Sequence, residues 1–327
     1  MNKHLLNRRQ FGARCAALGL SLPASSAMIA AQARAQDLGT GAESKPEPRT
    51  VKFPDGTIVP ALGQGTWHLA EGRHPLAVEE EALRTGIALG MTVIDTSRNY
   101  GEGGAAEKLV GRAIAGQRDR VFLVTKVQED EIVKSPAIGA GEQMVLAPKG
   151  DVIARLFEGS LARLGTDYLD LYLLHSPVPK RYLSGVVAKF EQLRAAGKIR
   201  SWGVSNFNVD QMEELFRVPD GHRCATNQVR YSLSNPYVER DVLPWCAQHN
   251  MPVMAASPLG GIENARTLLG DKTLAEIGAM HGCSAAAAAL GWVMRSGNVI
   301  AIPESGNPAH VKENAVALSI RWVPADA

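Results

Sequence analysis

The run Tyr168-Leu169-Asp170-Leu171-Tyr172-Leu173-Leu174-His175, then helical spacing from Val186 to Ala196, then a second apolar run from Ile199 to Asn206, decides the fold class. Each apolar run is short and nearly continuous, the pattern of a strand covered on both faces. The helix between them meets a glycine stop at Ala195-Ala196-Gly197-Lys198. Strand, helix, strand is the repeating unit of an α/β fold.

Working outward, runs of the same kind recur at Ala61 to Trp67, Met91 to Thr96, Val121 to Val127, Ala225 to Tyr231, Pro252 to Pro258 and Val299 to Pro303. Helical segments separate them, among them Val78 to Arg84, and Val152 to Leu164 with Asp151 as its N-cap. Eight strands alternating with helices over about 260 residues is the size and count of a (β/α)8 TIM barrel. A doubly wound sheet would carry a Gly-x-Gly-x-x-Gly turn, but Gly63-Gln64-Gly65 runs on into Thr66-Trp67-His68. Upstream, Thr50 to Phe53 and Thr57 to Val59 flank an Asp55-Gly56 turn and predict an N-terminal β-hairpin. One connection is long: more than twenty residues rich in Gly, Pro and acids follow Val127, where a barrel has its mouth and places lids and specificity loops.

The chain has 327 residues with 35 basic and 33 acidic side chains, a balance that gives no electrostatic case for a nucleic-acid partner. Four cysteines are too few for a disulfide framework and form no CxxC pair, so no metal site is expected. The charge is concentrated at one end. Residues 1–35 hold Lys3, Arg8, Arg9, Arg14 and Arg34 and no acid, which leaves 30 basic against 33 acidic residues in the other 292. Arg8-Arg9 precede a small, moderately apolar stretch, Ala16 to Ala31, and the Ala-x-Ala box Ala33-Arg34-Ala35. The segment resembles a twin-arginine export signal, too short in apolar residues for a membrane anchor. The expected organisation is a signal at 1–35, a flexible leader at 36–49 and a barrel at 50–327. Export machinery is then a partner and the periplasm the destination.

Polar residues at the C-terminal ends of barrel strands are the catalytic candidates. They are Asp95, Lys126, His175, Asn206 and Gln228, with Tyr100 five residues past Asp95. A phenol keeps its proton at neutral pH; an ammonium beside it favours the phenolate and eases proton donation. Lys126 can do this for Tyr100, Asp95 can keep a buried Lys126 charged, and His175 can polarise a carbonyl oxygen. Such a site reduces a carbonyl if a hydride arrives from the other side.

Val93 to Gly101, Val124-Thr125-Lys126-Val127, Asp167 to His175 and Gly203-Val204-Ser205-Asn206-Phe207 resemble, in order and spacing, the signatures of the aldo-keto reductase family. Bacterial methylglyoxal reductase-type members look most similar, through Gly63 to Trp67 and Ala225 to Val229. The resemblance implies a tetrad of Asp95, Tyr100, Lys126 and His175 with Tyr100 as proton donor, acting on a small carbonyl compound with NADPH or NADH. It places Ser205, Asn206 and Gln228 at the nicotinamide carboxamide, Ser257 and Leu259 at the pyrophosphate, and Ser305 and Asn314 on the adenosine side. Trp67, His68, His175 and Ser176 are candidates for the substrate mouth.

The chain departs from the family pattern at three places. Ala256 stands where an aromatic residue commonly stacks on the nicotinamide. Pro303-Glu304-Ser305 and His310 replace two cations expected at the adenosine 2'-phosphate, which puts the preference for NADPH in question. The sequence also ends soon after the eighth barrel helix, so the family's further helix and closing loop are expected to be missing. Two other functions remain open: a Schiff-base lyase using Lys126, and a non-catalytic nicotinamide-binding module. The sequence does not set the oligomeric state.

Overall fold

The computed structural model describes residues 48–134 and 151–320. The segment expected to be an export signal, most of the expected leader and the C-terminal end expected to be short lie outside the described residues, as does most of the long connection, 135–150. The hairpin forms as expected from β1 (Thr50–Lys52) and β2 (Ile58–Pro60), antiparallel with Val51 opposite Val59. Its turn is held by Asp55 Oδ1 accepting from the Thr57 amide at 2.9 Å. Phe53 stacks on Phe122 at 5.1 Å, so the hairpin packs where the barrel strands begin.

The barrel strands are β3 (Gln64–Gly65), β4 (Val93–Asp95), β5 (Phe122–Val127), β6 (Leu169–Leu174), β7 (Ile199–Ser205), β8 (Asn227–Arg230), β9 (Val253–Ala256) and β10 (Val299–Ile302). All eight fall inside the expected runs, are parallel and pair in chain order. The ring closes through bridges Leu62 to Ala301 and Gly65 to Glu304, with Gly63 N donating to Ala301 O at 2.8 Å. Closure explains why β3 is two residues long rather than the seven of its apolar run. At Gly63 a Cβ would lie 2.5 Å from Val93 O, and at Gly65 2.7 Å from Ile302 O. Only glycine lets the backbones approach that closely, and the chain turns away at His68 and Ala70, both at positive φ.

Every residue of β5 and β6 is buried, as expected for strands covered by helices outside and packed side chains inside. The helices are α1 (Leu76–Ala88), α2 (Ala105–Ile114), α3 (Glu129–Lys134), α4 (Val152–Leu164), α5 (Lys180–Ala195), α6 (Val209–Arg217), α7 (Val242–Gln248), α8 (Gly261–Leu269), α9 (Lys272–Met280), α10 (Ala285–Val293) and α11 (Pro308–Ala315). Asp151 caps α4, its carboxylate accepting from Ala154 N at 2.8 Å, and Gly165 ends that helix at φ 65°. No helix among the described residues is long and apolar enough to cross a membrane.

Candidate active site

Asp95 is the last residue of β4, and a turn in which Tyr100 N donates to Ser97 O at 3.0 Å brings Tyr100 back over the strand ends. Lys126, on β5, is wholly buried and Asp95 is 3 % exposed. Lys126 Nζ donates to Asp95 Oδ2 at 2.7 Å, to the Thr96 carbonyl at 2.9 Å and to the Tyr100 hydroxyl oxygen at 3.2 Å. An ammonium has three protons, and all three are spent here. The Tyr100 oxygen therefore accepts from Lys126 and keeps its own proton free to donate elsewhere.

Burial pushes the Tyr100 phenol above its ordinary value, and the Lys126 charge opposes this without offsetting it. The Lys126 effect has the expected sign, but desolvation of a 9 % exposed phenol, which residue types alone do not report, outweighs it. Burial alone would lower Lys126, but the carboxylate of Asp95 and the phenol of Tyr100 hold it above its usual range. The ammonium is thus locked on.

His175 follows β6 and faces Tyr100 edge-on, ring centroids 5.9 Å apart. The Gln128 amide nitrogen donates to its Nδ1, and Ser97 Oγ lies 3.4 Å from the same atom. With Nδ1 accepting, the ring proton is on Nε2. Burial, aided by the Lys126 charge, lowers the His175 pKa to about 3, so the ring is neutral at physiological pH and can act as a hydrogen-bond donor.

Trp67, Asp95, Tyr100, Gln228, Ser257, Leu259, Ser305 and Asn314 line one cavity of about 790 Å³. Lys126 lies behind its wall. Ser205 and Asn206 stand beside it and are tied into the strand ends: Ser205 Oγ donates to Gln228 O at 2.9 Å, and Asn206 Nδ2 donates to His175 O at 3.0 Å. Gln228 Nε2 donates to Asp95 Oδ1 at 2.7 Å, which leaves its Oε1 for a ligand. His68 lines the cavity and stacks on Trp67 at 4.5 Å; Ser176 is half-buried and lies off the wall. Ala256 is on the wall, and no ring of its own strand replaces the expected aromatic.

Glu304 is not the bare anion that the sequence suggested. Arg73, in the loop after β3, donates to Glu304 Oε1 at 2.7 Å and to the His68 carbonyl. No sequence signal joins residues 231 apart. Gln128 was legible in hindsight, since it is the first residue past the strand end that carries Lys126. Arg230, which lines the cavity two residues after Gln228, was also within reach of strand alternation, which puts both on one face.

A model of the aldo/keto reductase family matches residues 61–326. The chain is 43 % identical over 279 residues to methylglyoxal reductase YeaE of Escherichia coli K12, covering 85 % of this chain and 92 % of that protein. It is 35 % identical over 268 residues to an aldo-keto reductase of Mycobacterium sp. strain KMS, covering 81 % and 85 %. Among solved structures, an aldo/keto reductase from Klebsiella pneumoniae in complex with NADP and acetate aligns with a TM-score of 0.75 at 42 % identity, covering 85 % and 92 %. The thermostable aldo-keto reductase Tm1743, in complex with the inhibitor epalrestat, aligns with a TM-score of 0.70 at 33 % identity, covering 84 % and 95 %.

Proposed function

The chain belongs to the aldo/keto reductase family, and from that premise we propose that it reduces small aldehydes and ketones, dicarbonyls such as methylglyoxal among them, with NADPH as the usual donor. The observation that carries this reading is the Lys126 ammonium, whose bonds are exhausted on Asp95, Thr96 and Tyr100 and which leaves the Tyr100 proton free for a substrate. The nicotinamide supplies the hydride when bound. Tyr100 gives its proton to the carbonyl oxygen, and the phenolate left behind is stabilised by the ammonium 3.2 Å away. Neutral His175 donates from Nε2 to the same oxygen and orients it.

The cavity fits a dinucleotide in size and in its donor set. Gln228 Oε1 and Asn206 suit a carboxamide. The start of α8, preceded by Gly260 at φ 90° and with Gly261 at φ 69°, opens its unpaired amides on the cavity beside Ser257 and suits a diphosphate. Ser305 and Asn314 line the adenosine end. Arg73 neutralises Glu304 there, so we expect the 2'-phosphate to be tolerated but only weakly favoured over NADH. The structures of the Klebsiella relative with NADP and with NADPH support the same cofactor.

The lyase reading loses ground because a Schiff-base lysine needs a lowered pKa, and Asp95 does the opposite to Lys126. Turnover of reduced nicotinamide with methylglyoxal tests the proposal; borohydride trapping of substrate on Lys126, with no nicotinamide consumed, would replace it with the lyase. The third reading, a module that binds nicotinamide without turnover, rests on Ala256 and predicts binding with no consumption. We further propose export by the twin-arginine route, on the strength of Arg8-Arg9 and Ala33-Arg34-Ala35. That route suits a protein folded around its cofactor before transport.

A further inference from the structure

Arg230 ends β8 two residues past Gln228, on the cavity wall beside the catalytic strand ends. Its guanidinium lies 5.4 Å from the centre of the Trp67 ring, and that ring is 6.4 Å from the ring of Tyr100. The side chain is exposed to the cavity and, among the described residues, has neither a carboxylate nor a carbonyl partner; the ring it lies against is that of Trp67. The contrast with Arg73 on the same wall is direct, since Arg73 is engaged by Glu304 and by His68 O. Of the acids on the wall, Glu263, Glu304 and Glu313 belong to the segments from α8 onward, and Asp95, at the catalytic end, is taken up by Lys126 at 2.7 Å, so none of them forms an ion pair with Arg230. Its charge also reaches Tyr100, where it favours the ionised phenol.

An unpaired guanidinium fixed over an indole face presents its planar fork of donors, the geometry that takes a carboxylate through two parallel hydrogen bonds. We propose that Arg230 is a specificity residue that selects carbonyl substrates bearing a carboxylate a few bonds from the reacting carbon: the acid group on Arg230, the chain along Trp67, the carbonyl at Tyr100 and His175. This rests on the reductase reading and narrows it, since a neutral dicarbonyl makes no use of Arg230.

The test compares 4-carboxybenzaldehyde with its neutral methyl ester on the full chain with reduced nicotinamide. The wild type is expected to favour the acid in kcat/KM by about 10- to 100-fold, the range of a charge-assisted pair. Arg230→Leu should abolish that preference through the KM of the acid, and Arg230→Lys should restore part of it. Equal use of acid and ester by the wild type would overturn the proposal while leaving the reductase reading intact. So would a preference that survives in Arg230→Leu. A loss of cofactor affinity by the same factor would assign Arg230 to the cofactor phosphates instead and likewise overturn it. Reduction of neither aldehyde would overturn the reductase reading and this proposal together.

Discussion

Asp95→Asn removes the carboxylate that keeps a wholly buried ammonium charged. At 2.7 Å the Lys126–Asp95 attraction is about 6 kcal/mol at an effective dielectric near 20, before the cost of taking both ions out of water. Removing one partner of a buried pair costs about 3–5 kcal/mol. The loss has a ceiling, because Lys126 can fold neutral instead. From an unfolded pKa of 10.5, deprotonation costs about 5 kcal/mol at pH 7 and about 2 kcal/mol at pH 9. The signs are opposite in the two proteins. In the wild type the folded pKa of Lys126 is raised, so its contribution is fully present below 10.5 and lost only as pH rises through the higher folded value. In the variant burial, the largest influence on Lys126, is opposed by Tyr100 alone, the folded pKa drops below 10.5, and the penalty is largest at low pH and shrinks as pH rises. Asparagine also has one oxygen for two donors, Lys126 Nζ and Gln228 Nε2, which adds about 1–3 kcal/mol at every pH. Urea denaturation of both proteins at pH 7 and pH 9, followed by circular dichroism, should show a larger deficit at pH 7, narrowing by about 1–3 kcal/mol at pH 9. A deficit below about 1 kcal/mol at pH 7, or one that does not change with pH, would refute the claim that Asp95 holds Lys126 in its charged state.

Three further expectations concern His175, Glu304 and the Arg8-Arg9 pair. His175 has a folded pKa lowered to about 3, so unfolding takes up a proton there and stability falls as pH drops through 6.5 towards 3; His175→Asn should flatten the acid limb of urea stability by about 1.4 kcal/mol per pH unit. Glu304→Lys, which replaces the anion beside Arg73 by a cation, should raise the NADPH-to-NADH affinity ratio about tenfold by fluorescence titration, and an unchanged ratio would place the 2'-phosphate elsewhere. R8K/R9K should shift the protein from periplasmic to cytoplasmic fractions, and unchanged periplasmic recovery would remove the export proposal.

The barrel was legible because its strands are buried on both faces and stand out as apolar runs such as Leu169 to Leu174, while Asp151 and Gly197 punctuate helices by local rules. Its first strand was read too long, because apolar composition does not report that Gly63 and Gly65 serve close backbone approach at the closure. At the site, strand-end polarity sufficed to bring Asp95, Tyr100 and Lys126 together. What it could not supply was any balance between burial and charge, which decided Tyr100, or any partner delivered by a distant loop. Arg73 on Glu304 is of that kind, and so is the Trp67 ring beneath Arg230.

The central claim is that Tyr100, with Lys126 behind it, donates the proton in carbonyl reduction. Its most direct measurement pairs a cofactor titration with methylglyoxal-dependent oxidation of NADPH, in the wild type and in Tyr100→Phe. The account predicts unchanged NADPH affinity and a kcat lower by about 10²- to 10⁴-fold. A Tyr100→Phe protein that binds NADPH and still turns over at the wild-type rate would contradict it.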